Sequence, residues 1–430
     1  MRLQQNEELK YEVRKMLATP KQVIYPMRYL RPLWENPAGA EAAFESGLAD
    51  FLGGGVDIIP LGRARAGIHL AAKFARMRAG DRNRVVMLPH TIPDVVNMVQ
   101  FAGCEPVFVD TLPDSTNIDF DHLAEIVDNK TCCVLITHYH VNQERIDDIR
   151  ELCRQRDVML FDDCAIALEG DYQGRRMGST TDASIFSMSG FKSLNYVWGG
   201  ALATGCDDIA AYMKDELAEF PELKPAQYKE HMLAVLKYDL ATRPGIFSGV
   251  TFPTIRRKTR AGSAQEALGF VRRETQAIEE TVLSRPRPGV LGELVRKLDT
   301  VGQRLAHRRM IAAVYDRFFA DRRVAPEASD HVRAGSCFTF YPILVNPERR
   351  DRIYQQMVER GYHIGLSVYP NAHEAEAFSK VAGRSRNISK LVRSMISLPT
   401  HPRVTRDYAQ ALATMLSRMG CHFVPALAFV

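Results

Sequence analysis

The stretch Val158–Gly200, VMLFDDCAIALEGDYQGRRMGSTTDASIFSMSGFKSLNYVWGG, decides how the rest of the chain is read. It opens on a short apolar strand that ends in two acids, Asp162 and Asp163. It closes on Lys192, which lies among small residues five positions after Ser187 and ahead of the glycine pair Gly199–Gly200. If the strand continues, the two acids point to opposite faces, because successive side chains alternate. A lysine amine is ordinarily protonated and a poor nucleophile. Desolvation lowers its proton affinity and frees it to attack a carbonyl.

Composition sets the outer limits. The chain has 430 residues, enough for two or three domains. Hydrophobic residues make up 46% and charged residues 25%, as in an ordinary soluble globular protein. A formal charge of +5 is small for this length and argues against a dedicated nucleic-acid surface. The cysteines at 104, 132, 133, 153, 164, 206, 337 and 421 form no CxxC pair and no Cys/His metal spacing, so reduced thiols, a cytoplasmic setting and no metal are expected. The opening MRLQQNEELKYEVRK has no apolar run, so a secretory signal is not expected there. No apolar run approaches a membrane span.

Residues 1–45 read as an arm, interrupted by Pro20, Pro26, Pro32 and Pro37. Helix and strand then alternate. Helices are expected at Arg65–Met77, Pro93–Phe101, Asp119–Val127 and Glu144–Gln155, and strands at Arg84–Leu88, Pro106–Val109, Cys132–Thr137 and Val158–Phe161. Continuous apolar strands between helices imply an α/β fold, a parallel sheet covered on both faces. Ligands collect at the carboxyl ends of such strands, where Asp110, His138 and Asp163 fall. Asp208–Leu240 reads as mostly helical, 241–290 resists assignment, and Leu291–Ala320 reads as one long amphipathic helix. Phe338–Val345, Arg349–Arg360 and His363–Val368 suggest strand, helix and strand in a smaller C-terminal α/β domain, with Asp407–Met419 as a last helix. The division expected is an arm at 1–45, a large domain at 46–290 and a small domain at 291–430.

An acid at a strand end and a lysine 29 residues later are the parts needed to hold pyridoxal phosphate. The lysine makes a Schiff base with the aldehyde, and the acid keeps the pyridine nitrogen protonated. Ser187 and the segment GRARAGI (62–68) are phosphate candidates: small residues that open a helix aim backbone amides at an anion, and Arg63 or Arg65 adds charge. His138 and His140 lie on one face if their strand extends, without a third metal ligand in view. Arg256, Arg257, Lys258 and Arg260 form a basic cluster that suits a solvated face better than a diphosphate.

Four passages resemble the DegT/DnrJ/EryC1/StrS aminotransferases: GRARAGIHLAAKF from Gly62, LPHTIPDVVNMVQFAGCEPVFVD from Leu88, FDDCAIALEGD…GGAL from Phe161, and LPTHPRVTRDYAQAL from Leu398. The resemblance implies the fold type I architecture of pyridoxal-phosphate-dependent transferases. It implies amino transfer from an amino acid, glutamate, to a keto sugar attached to a nucleotide, by a homodimer. Carried over residue by residue, it makes Lys192 the Schiff-base lysine and Asp163 the partner of the ring nitrogen. Ser187 with the amides of Ala64, Arg65 and Ala66 would hold the phosphate. His90 or Ile92 would stack on the ring, and His138 would stand on the substrate side.

Two departures stand out. Ile166 occupies a place where the family has His or Gln, and Trp198 replaces an acid before the paired glycines. The passage through which a second subunit reaches the phosphate has no clear counterpart in 206–290. Two rival readings stay open: a dehydratase or lyase of the same fold, against which Lys192 argues, and a non-catalytic regulatory member that binds the cofactor or a sugar nucleotide.

Overall fold

The computed structural model describes residues 30–419, apart from 144, 190–191, 242, 261–279, 363 and 368. An eight-stranded sheet forms the centre. Its strands are β1 (Asp57–Leu61), β2 (Arg84–Met87), β3 (Glu105–Phe108), β4 (Thr131–Thr137), β5 (Met159–Asp163), β8 (Ala183–Ser187), β9 (Gly200–Thr204) and β12 (Ala382–Gly383). A small hairpin, β6 (Asp171–Tyr172) and β7 (Arg175–Arg176), lies outside it. The order across the sheet is β1-β9-β8-β5-β4-β2-β3-β12. β9 pairs antiparallel with both neighbours, and every other pairing is parallel. A second sheet joins β10 (Phe340–Leu344), β13 (Met395–Pro399) and β11 (Gly365–Leu366).

The expected α/β architecture follows from strand composition. All seven residues of β4 are buried. Val134 and Ile136 enter one core cluster, while Cys133 and Leu135 enter the other. The strand is therefore covered on both faces, as its unbroken apolar text requires. The helix Ala64–Arg78 sends Ile68, Ala71, Ala72 and Ala75 into the same cluster as Leu135 and Phe161. Its N-terminus thus meets the carboxyl edge of the sheet on that face.

Local chemistry sets several boundaries. Pro93 starts the helix Pro93–Phe101, where its missing N–H is no loss. Asp119 caps Phe120–Ile126 by accepting from Asp121 N (3.1 Å) and His122 N (3.2 Å). The single helix expected over Leu291–Ala320 is in fact two, Pro288–Leu298 and Val301–Phe319. At the break, the Thr300 hydroxyl and amide both donate to the Lys297 carbonyl (2.8 and 3.1 Å), which ends the first helix. Asp208–Leu240 is likewise two helices, Asp207–Ala218 and Pro225–Ala241. The 241–290 stretch is helical again at Phe252–Arg260. The small-residue strand β9 and its partner β1 lay outside the sequence-based pattern.

Asp110 follows β3 and has a structural task rather than a place in a ligand site. Its carboxylate accepts from Asn387 N (3.0 Å) and Ile388 N (3.2 Å), so it caps the helix Arg386–Ser394 across 277 and 278 residues of sequence. Buried charge-assisted bonds of this kind are worth more than surface ones. Asp110→Ala should lower unfolding stability by about 1–3 kcal/mol, read as a lower urea midpoint. An unchanged midpoint would show that the helix end has another anchor.

Candidate active site

The carboxyl edge of β4, β5 and β8 opens into a cavity of about 260 Å³. Asp163, the last residue of β5, and Lys192, in the loop after β8, both line it, together with Ser187, Ala64, Arg65, His90, Ile92 and His138. Of the predicted site residues, Ala66 alone is not on its wall. The Ala66 amide bonds the Arg63 carbonyl at 3.1 Å. No side chain caps the helix Ala64–Arg78, so its positive end stands at the cavity.

Strand alternation separates the two acids. Asp163 lies on the cavity side, where its Oδ1 accepts from Ala165 N at 3.0 Å. Burial pushes its carboxyl above the usual carboxylate range, and Asp162 adds to this; Ala165 N–H, Lys192 and His138 pull the other way. Asp162 turns behind the sheet and accepts from Thr180 Oγ1 (3.1 Å) and Ser184 Oγ (3.2 Å). Its other oxygen lies 3.3 Å from His138 Nε2. His138 Nδ1 accepts from Gln143 N at 3.3 Å. His138 is fully buried although it lines the cavity, and its Nδ1 is taken up by the Gln143 amide. Cys164 completes a buried trio with His138 and Asp162, whose ligand-type atoms lie within 4.8 Å of one another. Hydroxyl donors occupy Asp162 Oδ2 and the Gln143 amide occupies His138 Nδ1, while Asp162 Oδ1 and His138 Nε2 make no hydrogen bond among the described residues and lie 3.3 Å apart. His140 Nδ1 accepts from Phe340 N at 3.3 Å and belongs to the join with β10.

Lys192 is half-buried at the cavity wall. Burial lowers its amine to about 8, against the opposing pull of Asp163. The loop that carries it is held by three cations from the two helices Pro288–Leu298 and Val301–Phe319. Arg308 Nη1 donates to the Ser193 hydroxyl, Arg304 Nη1 to the Ser193 carbonyl (2.7 Å), and Lys297 Nζ to the Asn195 carbonyl (2.6 Å). Arg308 also pairs with buried Glu169 at 3.2 Å, in the loop that follows Asp163. One side chain thus ties the acid's loop to the lysine's loop. Sequence reading missed this clamp, because nothing in a helical pattern marks which arginines turn inward.

Ser187 ends β8 with its hydroxyl 3.4 Å from that of Ser189, a second hydroxyl on the same wall. Of the two stacking candidates, Ile92 is 38% exposed and His90 is buried at 2%. The His90 ring stacks on Tyr139 at 4.6 Å and 27°, and Tyr369 meets it edge-on at 5.8 Å. Burial lowers the His90 imidazole to about 4, so it is neutral near pH 7. Tyr139 and Tyr369 are wall residues that the sequence did not flag. Tyr139 lies in sequence between His138 and His140 with no motif of its own, and Tyr369 comes from far along the chain. Ile166 presents an apolar side chain to the cavity, while its carbonyl accepts from Thr339 Oγ1 at 3.0 Å. The basic cluster of Arg256, Arg257, Lys258 and Arg260 is no part of this wall.

The arrangement can do specific chemistry. It offers an amine whose proton affinity burial lowers to about 8, a buried acid facing the same space, aromatic walls, and cations and hydroxyls at a helix start. Such a site fits a flat ring with an anionic group at one end and a proton-bearing nitrogen at the other.

Comparison with known proteins gives the same class. The profile of the DegT/DnrJ/EryC1/StrS aminotransferase family matches residues 33–236 and 293–417, well over half of the chain. A dTDP-4-dehydro-2,3,6-trideoxy-D-glucose 4-aminotransferase of Saccharopolyspora spinosa is 25% identical over 91% of this chain and 92% of its own. A pleiotropic regulatory protein of Geobacillus stearothermophilus is 23% identical over 98% of this chain and 97% of its own. Among solved structures, Helicobacter pylori PseC, an aminotransferase involved in the biosynthesis of pseudoaminic acid, superposes with a TM-score of 0.70 at 18% identity. That superposition covers 93% of this chain and 97% of the other, and establishes a shared fold.

The lowered amine is open to test. Acylation of Lys192, followed by peptide mass spectrometry, should rise about tenfold per pH unit up to about 8 and then level off. Asp163→Asn removes a charge that favours the protonated amine, so the midpoint should fall further. A profile still climbing toward about pH 10, as for a solvated lysine, would contradict the burial argument.

Proposed function

The chain belongs to the DegT/DnrJ/EryC1/StrS aminotransferase family, and we propose that it moves an amino group from glutamate to a nucleotide-linked keto sugar with pyridoxal phosphate as cofactor. The observation that carries this reading is the meeting of Asp163, Lys192 and Ser187 on one cavity wall. The sugar-nucleotide acceptor is supported by the relative from Saccharopolyspora, whose name is that of a dTDP-sugar 4-aminotransferase. Glutamate as donor, a homodimeric assembly and a cytoplasmic setting rest on the family resemblance. No described helix is long and apolar enough to cross a membrane.

The residues present fit the cofactor. A carboxylate whose proton affinity is raised by burial favours a neighbour that carries a proton, which suits Asp163 for a pyridinium nitrogen. Lys192 would hold the aldehyde carbon. Ser187 and the first-turn amides of Ala64 and Arg65 would hold the phosphate. His90, neutral and packed between Tyr139 and Tyr369, would supply the flat wall. Bound there, pyridoxal phosphate supplies an aldehyde that carries the amino group and a ring that draws electrons from the substrate carbon.

The protein's own part follows from position. Lys192, its amine lowered to about 8 by burial, is a base fit to take a proton from the substrate carbon and to give it back. Asp163 keeps the opposing charge fixed while this happens. The Ser193 and Asn195 bonds to Arg304, Arg308 and Lys297 keep the amine on one side of the space. Ile166 and the tyrosines exclude water, which strengthens each of these interactions.

A specific observation keeps a regulatory reading in play: the Geobacillus relative of almost full coverage carries a regulatory name. The two readings separate in one experiment. The purified protein should turn yellow with pyridoxal phosphate, and borohydride should fix the cofactor on Lys192. Nitrogen from labelled glutamate should then appear in a keto-sugar nucleotide. Lys192→Ala should lower that transfer by about 10²–10⁴-fold, and Asp163→Asn by about 10²-fold or more. Cofactor binding without transfer to any of a broad panel of keto sugars would favour the regulatory reading. Failure to bind the cofactor would refute the aminotransferase reading and leave only a regulatory protein that binds a sugar nucleotide.

A further inference from the structure

The cavity wall holds two arginines, and only one is neutralised. Arg65 pairs with Asp94. Among the described residues no carboxylate pairs with Arg63, and its Nε is buried without a hydrogen-bond partner. Its guanidinium instead lies 3.3 Å from the centroid of the Trp198 ring. Trp198 is fully buried, and the His231 ring packs on it at 4.3 Å and 38°. Burial and then the neighbouring Arg65 press the guanidinium well below its usual range. A guanidinium does not give up its proton at ordinary pH.

The backbone builds this stack. Gly199 N donates to the Gly62 carbonyl at 3.1 Å. A Cβ at Gly200 would lie 2.6 Å from Ala64 N, so only glycine lets β9 run this close to the helix start. That approach lays the residue before the glycine pair alongside Arg63. An acid at 198 could cancel the Arg63 charge by ion pairing. An indole can fix the side chain without cancelling it.

We propose that Trp198 is a positioning residue that holds Arg63 with its charge uncancelled, so that the guanidinium fork binds a phosphate-monoester dianion at the start of the helix Ala64–Arg78. The inference rests on the pyridoxal phosphate reading and names which side chain supplies the charge. Phosphate suits the surroundings better than a carboxylate. A planar fork, two serine hydroxyls 3.4 Å apart and the positive end of a 15-residue helix can serve three oxygens rather than two.

The chain has two tryptophans, and Trp34 is exposed at 64%. Trp34→Phe therefore leaves Trp198 as the only indole. In that background inorganic phosphate should change the tryptophan emission in a saturable way, and Arg63→Gln should abolish the change. Affinities for pyridoxal phosphate and for pyridoxal, read by visible absorbance, then give the phosphate preference. Arg63→Gln should cut that preference by about 10–100-fold with pyridoxal affinity unchanged. Arg63→Lys should recover part of it, and Trp198→Phe should keep more than Trp198→Leu. Wild-type preference in Arg63→Gln would overturn the inference and leave the cofactor reading intact. An equal loss of both ligands would overturn it too, because that marks a structural defect. A wild-type protein that takes up neither ligand would overturn the cofactor reading and the inference together.

Discussion

Asp163, buried, and Lys192, half-buried, line the same cavity, and the candidate site is built around that pairing. Burial raises the proton affinity of the acid and lowers that of the amine. Each charge opposes the other's shift, so the pair is poised rather than fixed. A cavity of this kind can exchange its internal partner for a different cation, such as a protonated ring nitrogen, at little electrostatic cost. Two positions far apart in sequence are brought together because β5 and β8 are parallel neighbours that end at the same edge.

Much of the arrangement could be read from the chain, for a physical reason. Strands β2 to β5 are apolar on both faces, and their text is unmistakable beside the helices that separate them. Asp163 could be chosen over Asp162 only on resemblance. The structure gives the reason in alternation: Asp162 points behind the sheet to Thr180, Ser184 and His138. The misses share one cause, which is that long-range partners leave no local trace. The side chain of Asp110 looks like a site acid in sequence, yet it caps a helix 277 residues away. Tyr369 reaches the cavity from the C-terminal part of the chain. The Thr300 hydroxyl ends a helix that amphipathic periodicity alone would have continued.

Departures from a family pattern are often read as decay. Trp198 argues against that here. It occupies a fully buried place, stacks on a cavity arginine, and is brought there by a glycine pair whose spacing the backbone enforces. Ile166 is similar in kind: its side chain is apolar, while its carbonyl receives a hydroxyl from Thr339. Polarity lost from one side chain at this site is accompanied by polar contact made elsewhere.

The three cations on the Lys192 loop have a mechanical side. Arg304 and Arg308 sit on one helix, and Arg308 also grips Glu169. Helix Val301–Phe319 also packs on Arg406–Arg418, and Tyr315 bonds the Pro399 carbonyl at the end of β13. The helix is therefore tied to the second sheet at one end and to the loop that carries Lys192 at the other. The one rod thus fixes the loop of Lys192 and the loop of Asp163 to the same frame as the second sheet.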